Sequence, residues 1–322
     1  MNKVKKNFGS LPSFAKIIPA LFLLVGAAGG CVTLPRSQRL YVTPHDYIAS
    51  ASDIKIVVID VGQGDSIFIK TPNKKYILVD AGGVPSWKGG GVDTGRDYVI
   101  PVLQKNMPYN APLDAVVMTH PHADHVGGMV SVLKDMKVKK VYDSGYARGD
   151  KEYADCLDVI KRKNIPYEIV SDGDELEIDP DVRISVLSPP SGFHYEDANN
   201  NSVVLRLEYK DFTILLTGDA EMEAENYIVS KHPKSRISSN VLKSPHHGSR
   251  SSSSPSFIAA CQPEVAVISC GRSNQFGHPH SETLSRYRSI EAAVYRTDYD
   301  GDIAIISNGF NFTVIPSRRG KR

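Results

Sequence analysis

The sequence predicts an α/β fold of four layers, in which two β-sheets pack face to face and helices cover both outer faces (αββα). Two observations lead to this prediction. Each half of the chain opens with short runs rich in β-branched residues, and in each half such runs then alternate with segments of helical periodicity. Because a sheet that carries helices on one face must bury its other face, the two sheets are expected to pack together.

The composition is that of a globular protein. The chain has 322 residues, of which 41% are hydrophobic and 23% are charged, which is sufficient for a substantial core. The formal net charge is +2, and it becomes about −2 when the four lysines before position 17 are removed. This balance excludes the overall basic field that is typical of many nucleic-acid-binding proteins.

The first 30 residues have the pattern of an export signal. Four lysines precede an apolar run over residues 17–28, and no acidic residue occurs before Asp46. A run of about 12 apolar residues is shorter than the ~20 residues that span a bilayer. We therefore expect a signal peptide over residues 1–30 rather than a stable membrane anchor.

Small residues at positions 28–30 precede Cys31, and this arrangement resembles the lipobox of bacterial lipoproteins. The resemblance implies that Cys31 is lipidated and anchors an exported protein to the cell envelope, at the periplasmic face or the cell surface. An ordinary signal peptide, which gives a secreted protein, is the alternative. No obligate protein partner is evident.

Three segments are predicted after the signal peptide. Residues 31–52 have mixed polarity and contain two prolines, which indicates a tether, residues 53–316 form the folded domain, and residues 317–322 form a solvated basic tail. The cysteines of the folded domain, at positions 156, 261 and 270, include no CxxC pair. Buried free thiols and a single disulfide bridge both fit this pattern.

The folded domain begins with three predicted strands. Hydrophobic runs over residues 54–60, 66–70 and 76–80 are separated by turns that contain glycine or a Pro-Asn pair. A glycine-rich loop over residues 82–95 follows, and helical and extended patterns then alternate. The next predicted helices cover residues 97–106, 126–136 and 151–163, and the next predicted strands cover residues 114–119, 139–142, 167–170 and 182–187.

The second half of the domain repeats this order. Two adjacent strands come first, and helices and strands then alternate to the end of the domain. The predicted strands cover residues 202–209, 212–217, 241–243, 265–269, 292–295, 302–306 and 310–315, and the predicted helices cover residues 221–230, 256–261 and 282–289.

The motif HPHADH at residues 120–125 is a dense group of metal-ligating side chains at the end of a predicted strand. In an extended segment His120 and His122 project to the same side and can share one metal ion. Asp124 and His125 lie at the turn into the next helix and can face a second ion. Imidazole nitrogen and carboxylate oxygen suit Zn²⁺, Mn²⁺ or Fe²⁺ and are poor ligands for Ca²⁺.

Further ligand-type residues follow later strands. Asp219 comes after a glycine at a predicted strand end, the pair His246 and His247 follows the next strand, and His278 and His280 occur in the sequence GHPH. A site for two metal ions needs a carboxylate between the ions and additional imidazoles, and these residues offer both. A helix N-cap is the alternative role for Asp219.

The motifs resemble the metallo-β-lactamase superfamily, and within it the C-terminal hydrolase domain of ComEC-type DNA-uptake proteins. The resemblance covers about residues 54–316 and implies a four-layer αββα metallo-β-lactamase sandwich with hydrolase activity. The motifs that carry it occur in the same order: DVGQGD at 60–65, VDAG at 79–82, HPHADHVGG at 120–128, NNSVVL at 200–205, LTGD at 216–219, HHGS at 246–249, GHPH at 277–280 and RTDYDG at 296–301.

The resemblance also implies a centre of two divalent metal ions, Zn²⁺ or Mn²⁺. One ion would lie on the two histidines before Asp124, the other on Asp124, His125 and one histidine of the 246/247 pair, and Asp219 would bridge them. Asp80 would contact the metal-binding motif rather than the metal, and would orient it. The candidate ligands are His120, His122, Asp124, His125, Asp219, His246 and His247.

Two ligand assignments stay open. The sequence does not decide whether His246 or His247 is the metal ligand, and the other histidine is expected to support it. For the third imidazole that other members of the superfamily place on the first ion, only His194 lies in the right interval.

The predicted catalytic residues are Asp124, His247 and His280. Two metal ions would lower the pKa of a shared water from about 15.7 towards ~7, so the expected nucleophile is a metal-bound hydroxide, and Asp124 would accept its proton. His280, together with His278, would either contact a substrate phosphate or order a loop. The glycines of DVGQGD are interpreted as a turn between strands, since no lysine and helix follow them as in a nucleotide-binding loop.

The predicted function is an exported phosphodiesterase or nuclease, with a phosphodiester or nucleic acid as substrate and a membrane attachment through lipidated Cys31. One alternative keeps the fold and replaces the substrate by a lactam, a lactone or another ester. A second alternative is a non-catalytic surface lipoprotein that binds metal.

Overall fold

The structure, a computed structural model, describes residue 41 and residues 43–83, 92–148 and 150–318. The predicted signal peptide, Cys31 and the last four residues of the predicted tail lie outside the described residues. Within the described ranges, no helix is both long and apolar enough to cross a membrane.

Two mixed sheets form the centre of the fold. The first has eight strands in the order β14-β13-β1-β2-β3-β4-β5-β6, and the second has six in the order β12-β11-β10-β9-β8-β7. Pairing changes from antiparallel to parallel at β3 in the first sheet and at β9 in the second. In chain order the strands are β1 (Ile54–Val58), β2 (Ile67–Lys70), β3 (Tyr76–Val79), β4 (Ala115–Met118), β5 (Val141–Asp143), β6 (Tyr167–Ile169), β7 (Arg183–Ser188), β8 (Val204–Tyr209), β9 (Phe212–Leu216), β10 (Val241–Lys243), β11 (Val265–Ile268), β12 (Ala293–Arg296), β13 (Ile303–Ser307) and β14 (Phe312–Pro316).

Helices connect the strands and cover the outer faces of both sheets. In chain order they are α1 (Ile100–Asn106), α2 (Ala123–Val126), α3 (Met129–Asp135), α4 (Lys151–Lys163), α5 (Met222–Lys231), α6 (Lys234–Ile237), α7 (Pro255–Cys261), α8 (Ser281–Ser289) and α9 (Thr297–Asp300). A π-helical segment (Gly95–Val99) runs directly into α1, and 3₁₀ turns cover Asn199–Asn201 and Pro245–Gly248.

Three apolar clusters lie between the layers. Ile56 of β1 and Leu205 of β8 belong to a buried cluster between the two sheets. Val57, which follows Ile56 and therefore points to the opposite face, packs in a second cluster with side chains of α1, α3 and α4. A third cluster joins Leu215 of β9 to α5, α7 and α8. The predicted αββα architecture is therefore confirmed.

The helix predicted over residues 126–136 is two helices. Asp124 and His125 lie inside the short α2 rather than in a turn before a helix, and α3 begins only at Met129. The helical hydrogen-bond pattern is interrupted between them because the backbone N–H of Gly128 donates to the carbonyl of Gly82 (2.8 Å). This bond fastens the motif to the loop after β3.

The folded part extends beyond the predicted limits of 53 and 316. Tyr41, in the predicted tether, forms a β-bridge with Phe312 and donates its backbone N–H to the carboxylate of Glu264 (3.1 Å). Arg318, in the predicted solvated tail, forms an ion pair with Asp60. Both flanking segments form polar contacts with the domain, and composition alone does not predict such contacts.

The three cysteines of the folded domain are buried free thiols, so the alternative of a disulfide does not hold for them. Burial raises the pKa of Cys261 to about 12 and that of Cys270 to about 12. Thiols with such pKa values are poor nucleophiles at neutral pH.

Candidate metal centre

The candidate site lies where parallel strands of both sheets end. Asp80 follows β3, His120 follows β4, Asp219 follows β9, and the pair His246 and His247 follows β10. The carboxyl ends of parallel strands lie at one edge of a sheet, and here these edges of the two sheets adjoin. The topology therefore brings together motifs that are distant in sequence.

Asp219 is at the centre of the cluster. Its Oδ1 atom is 3.2 Å from Nε2 of His125, and its Oδ2 atom is 3.2 Å from Nε2 of His247. Oδ2 of Asp124 is 3.4 Å from the same His247 nitrogen. Asp219 does not cap α5, whose N-cap residue is Glu221, so the alternative role of Asp219 as a helix cap is wrong.

The orientation of the two imidazoles fits a cation. Nδ1 of His125 lies 2.7 Å from Asp80, and Nδ1 of His247 lies 3.0 Å from the carbonyl of Ser269. The opposite Nε2 atoms face Asp219, and among the described residues neither these two nitrogens nor Oδ1 of Asp219 has a hydrogen bond of proper geometry. Buried polar atoms are rarely left in this state, and a divalent metal ion would accept all three as ligands.

The charges of the cluster compensate one another when no metal is bound. Burial lowers the pKa values of His125 and His247, but the carboxylate of Asp219, helped by Asp80 at His125 and by Asp124 at His247, holds both well above the ordinary histidine value. Burial raises the pKa of Asp219, and the two imidazoles more than offset this and hold it well below its ordinary value. Metal ions would replace these protons.

His120 and His122 form a second pair of nitrogens beside this cluster. Nε2 of His120 is 3.1 Å from Nδ1 of His122. Burial, followed by the nearby His125, lowers the pKa of His120 well below its ordinary value, so the ring is neutral and has a lone pair for a metal. On its other side, Nδ1 of His120 lies 3.4 Å from Oγ of Ser202.

His194, the candidate for a third imidazole on the first ion, lies elsewhere. Its side chain is exposed, and its ring packs edge-on against Tyr146 with centroids 5.9 Å apart. In the described part of the chain, the cluster that includes His125 and His247 does not include His194.

Asp80 holds the histidine motif from behind. Besides its contact with His125, its carboxylate accepts hydrogen bonds from the backbone N–H (2.8 Å) and the hydroxyl (2.7 Å) of Thr119. Asp80 is fully buried and has a positive φ of 55°. Strained backbone of this kind is concentrated at functional sites.

The structure separates the two histidines of the HHGS motif. His247 is 1% exposed and lies in the central cluster. His246 instead places Nδ1 2.9 Å from Glu221, and its Nε2 atom is 3.7 Å from Asp219. Both residues have positive φ, 46° for His246 and 53° for His247, so the backbone turns sharply and directs the two side chains differently.

The sequence reasoning missed two buried residues behind His247. Asp65 places Oδ1 3.3 Å from Nδ1 of His247, and its Oδ2 atom is 2.8 Å from Nζ of Lys243. Burial raises the pKa of Asp65, but Lys243 and then His247 more than offset this and lower it to about 2. A lysine inside the apolar strand β10 was the available signal, because lysine is almost never fully buried without a partner.

DVGQGD forms the turn between the antiparallel strands β1 and β2, as interpreted from the sequence. The carbonyl of Gly64 accepts from the Ser269 hydroxyl (2.6 Å), and the N–H of Asp65 donates to the carbonyl of Asp124 (3.2 Å). A Cβ atom at Gly64 would collide with that Asp124 carbonyl, and φ there is +136°. Glycine at position 64 therefore allows the close approach of the turn to the metal-binding motif.

The histidines of the GHPH motif lie at the rim of the site. His278 is 8% exposed, and its ring centroid is 5.4 Å from His246 and 6.1 Å from His247. Burial, together with these imidazoles, lowers its pKa to about 4. Nδ1 of His280 accepts the backbone N–H of Arg250 (3.1 Å), which leaves the proton of the neutral ring on Nε2.

Comparisons with known proteins identify the family of the chain. Residues 59–272 match the sequence family described as the Metallo-beta-lactamase superfamily. The chain is 34% identical to ComE operon protein 3 of Bacillus subtilis over 266 residues, 80% of this chain and 33% of that protein. It is 29% identical to Competence protein ComA of Neisseria gonorrhoeae over 302 residues, 90% of this chain and 39% of that protein.

The chain thus spans between 33% and 39% of the length of these two curated relatives, and the predicted resemblance to ComEC-type competence proteins is confirmed. Among solved structures, the metallo-beta-lactamase fold protein YhfI from Bacillus subtilis matches with a TM-score of 0.50 and 12% identity, over 79% of this chain and 100% of that one. This similarity supports the fold.

Proposed function

Because this chain belongs to the metallo-β-lactamase superfamily, we propose that it is a metal-dependent phosphodiesterase that acts on nucleic acid. The observation that carries the proposal is the buried cluster around Asp219, in which the Nε2 atoms of His125 and His247 point at one carboxylate without a proper hydrogen bond. Without a metal, the buried Asp219 carboxylate depends on two protonated imidazoles for compensation, and a divalent cation would take the place of their protons.

The residues present fit two divalent cations. His120 and His122 would hold one ion, Asp124 with the two inward-facing imidazoles of His125 and His247 would hold the other, and Asp219 would contribute to both. Bound divalent ions supply Lewis-acid charge for a developing anion and lower the pKa of water. Assays with Zn²⁺ and with Mn²⁺ decide which of these ions supports the activity.

The surrounding residues have separate tasks. Asp80 holds Nδ1 of His125, and the carbonyl of Ser269 holds Nδ1 of His247, with Asp65 3.3 Å from the same His247 nitrogen. These contacts direct both Nε2 atoms inward. The Asp124 side chain is 27% exposed, so it can pass a proton to solvent. The Nε2–H of His280 faces away from Arg250 and is suited to donate to a phosphate oxygen.

The choice of nucleic acid as substrate is supported by the relatives. The relative from Neisseria gonorrhoeae is named as a competence protein, and competence is the uptake of DNA. Both relatives are much longer than this chain, so the similarity supports a shared chemical step and does not extend to transport of DNA.

Export and lipidation of Cys31 belong to the same proposal, since a metal-dependent nuclease outside the cytoplasm does not endanger the genome. The support is the basic and apolar pattern of the first 30 residues. If the proposal is correct, the protein fractionates with membranes, and Cys31→Ser releases it into the soluble fraction. Equal membrane association of both forms would refute lipid anchoring.

The activity is tested with purified protein reconstituted with Mn²⁺ or Zn²⁺. Hydrolysis of bis-p-nitrophenyl phosphate and of a single-stranded oligonucleotide is measured beside turnover of a chromogenic β-lactam. We expect diester cleavage that His247→Ala lowers at least 100-fold, while His45→Ala, which removes an exposed histidine before β1, leaves it within twofold. Lactam turnover without diester cleavage would overturn the proposal.

A further inference from the structure

The edge of the first sheet that lies opposite the candidate metal centre is strongly basic. Strands β3 to β6 are parallel, so the segments that precede them meet at one edge, and the site lies at the other. We call residues 71–75, 104–114, 134–140 and 160–166 the basic edge. They contain ten lysine or arginine residues and two aspartates, which gives a formal charge of +8 in a chain whose formal net charge is +2.

Hydrogen bonds join the segments of the basic edge. The backbone N–H of Leu113, before β4, donates to the carbonyl of Lys137, before β5 (2.8 Å). Nζ of Lys163, at the end of α4, donates to the carbonyls of Leu133 (2.8 Å) and Lys134 (2.6 Å) at the end of α3. The lysine-rich ends of α3 and α4 are therefore adjacent, and the loop before β4 lies beside them.

Most of this positive charge is not compensated. Asp114 pairs with Lys139 (2.7 Å), and Asp135 pairs with Arg96 (3.4 Å), which lies outside the basic edge. Both aspartates are thus already occupied. Within the described residues, five exposed lysines of the basic edge form no ion pair, namely Lys74, Lys105, Lys134, Lys137 and Lys161. Such a concentration of one sign of charge attracts an anionic partner.

Two large apolar side chains are exposed at the same edge. Tyr109, in the loop before β4, is 90% exposed. Ile48, in the segment that leads into β1, is 88% exposed, and β1 runs parallel to β3 because each pairs antiparallel with β2. Among the described residues, no other large apolar side chain is more than 59% exposed. Apolar and aromatic side chains beside lysines are typical of surfaces that contact a membrane.

The described part of the chain also begins at this edge. Tyr41 forms a β-bridge with Phe312, which pairs with Ser307, and Ser307 pairs with Ile54, the first residue of β1. Cys31 precedes Tyr41 by ten residues, a length that spans at most about 35 Å. A lipid on Cys31 would therefore keep the basic edge close to a bilayer.

We propose that the basic edge binds the surface of a bilayer that contains anionic phospholipid, with its lysines at the lipid phosphates and with Tyr109 and Ile48 among the headgroups. The candidate metal centre, at the opposite ends of the strands, then faces away from the membrane and is open to substrate from solution. The inference goes beyond the proposed hydrolysis, and only the closeness of the bilayer rests on the proposed lipidation of Cys31.

The bilayer is favoured over nucleic acid as the partner of this edge. Nucleic acid bound here would lie away from the metal centre, and the exposed Ile48 matches the headgroup region better than a phosphate backbone. A basic surface alone binds a bilayer weakly and reversibly, whereas a lipid together with a basic surface gives stable attachment. Cys31→Ser is therefore still expected to release the protein from membranes that are washed with salt.

The test is sedimentation of the full chain with vesicles of phosphatidylcholine that contain either no phosphatidylglycerol or about one third of it. All proteins carry Cys31→Ser, which removes the lipid, and residues 17–28 are the same in all of them. We expect binding to the anionic vesicles to be at least about tenfold tighter than binding to the neutral ones. Salt should weaken it, because the Debye length falls from ~10 Å at 0.1 M to ~3 Å at 1 M.

Two lysines of α4 provide a matched pair of variants. Lys161→Glu, in the basic edge, should lower the affinity for anionic vesicles about tenfold or more, because one attraction is replaced by a repulsion. Lys151→Glu, which changes an exposed lysine at the other end of the same helix, should leave the affinity within twofold. If Lys161→Glu folds poorly, the milder Lys161→Gln should lower the affinity about fivefold, which corresponds to ~1 kcal/mol.

A second pair of variants tests the apolar contribution. Tyr109→Ser should weaken binding to anionic vesicles several-fold and leave its dependence on salt unchanged, because no charge is altered. Tyr299→Ser, which removes a ring that is 46% exposed in α9, after the carboxyl end of β12, should leave binding within twofold.

Each failure has a separate meaning. Equal binding to the two kinds of vesicle, or equal effects of Lys161→Glu and Lys151→Glu, would overturn the inference. Lysine changes that weaken binding of a single-stranded oligonucleotide and leave vesicle binding intact would overturn it in favour of a nucleic-acid surface. A protein that binds anionic vesicles as expected and cleaves no phosphodiester would overturn the proposed function alone, because the vesicle assay requires no turnover.

Discussion

The ammonium nitrogen of Lys243 lies 2.8 Å from the carboxylate of Asp65, and both side chains are almost completely buried. Lys243 ends β10 of the second sheet, and Asp65 belongs to the turn after β1 of the first. The ion pair therefore joins the two sheets directly behind His247, whose Nδ1 atom faces Asp65 at 3.3 Å. Its position connects the stability of the fold with the orientation of a candidate metal ligand.

Breaking this ion pair should destabilise the protein strongly. Lys243→Met removes the ammonium group that faces the buried Asp65 carboxylate at 2.8 Å, and breaking a buried ion pair in this way typically costs about 3–5 kcal/mol in the free energy of unfolding. Urea unfolding of the metal-free protein measures the loss. Lys161→Met, on the exposed surface of α4, serves as control and should change the stability by less than about 0.5 kcal/mol. Equal stability of the two variants would show that the pair contributes little.

The two histidines of the HHGS motif should differ as metal ligands. His247→Ala removes an imidazole from the central cluster, so we expect loss of about one metal ion per chain. His246→Ala should retain both ions, because that side chain pairs with Glu221. Metal analysis after dialysis against a fixed free-metal concentration distinguishes them. Loss of metal from His246→Ala alone would reverse the assignment.

Metal binding should release protons. In the metal-free protein the pKa values of His125 and His247 are raised, chiefly by Asp219 acting against the effect of burial. Both rings are therefore protonated at neutral pH and must lose their protons to bind a metal. We expect about two protons released per protein, and an affinity that rises with pH until the pH exceeds these pKa values. Calorimetry in buffers of different ionisation enthalpy counts the protons, and a binding enthalpy independent of buffer would contradict this.

The buried carboxyl of Asp143 should make stability depend on pH. Burial raises the pKa of Asp143 to about 6 in the folded protein, above the unfolded value of about 3.9. Folding favours the neutral form of this carboxyl group. Its contribution to the free energy of unfolding is therefore full below pH ~4, and about 3 kcal/mol is lost as the pH rises to ~6.

Asp143→Asn does not titrate, so it tests this effect directly. In the presence of a chelator, the variant should be more stable than the wild-type protein at pH 7.5 and nearly equal to it at pH 4. Urea unfolding at the two pH values measures the difference. Asp158→Asn, an exposed change on α4, should alter stability by less than about 0.5 kcal/mol at either pH. A variant less stable than the wild type at pH 7.5 would refute the effect.

Much of the fold could be predicted because its signals are local. The strand β10 and the helix α4 have the predicted limits, since a run of apolar residues and a periodic pattern bounded by turn residues each identify an element. The break between α2 and α3 was not predictable, because it depends on a hydrogen bond from Gly128 to Gly82, 46 positions earlier in the sequence.

The sequence by itself determined the residue types of the candidate site. His120, His122, Asp124 and His125 are neighbours in the chain, and the order of the other motifs placed the protein in its superfamily. Only the tertiary structure decided that Nε2 of His247 lies nearer to Asp219 than Nε2 of His246 does, at 3.2 against 3.7 Å, and that Asp65 and Lys243 lie beside His247. The physical reason is that residue types and strand ends follow from local sequence. The direction of a side chain at a strand end instead depends on backbone angles and on the packing of the two sheets. Residues far apart in the chain determine both together.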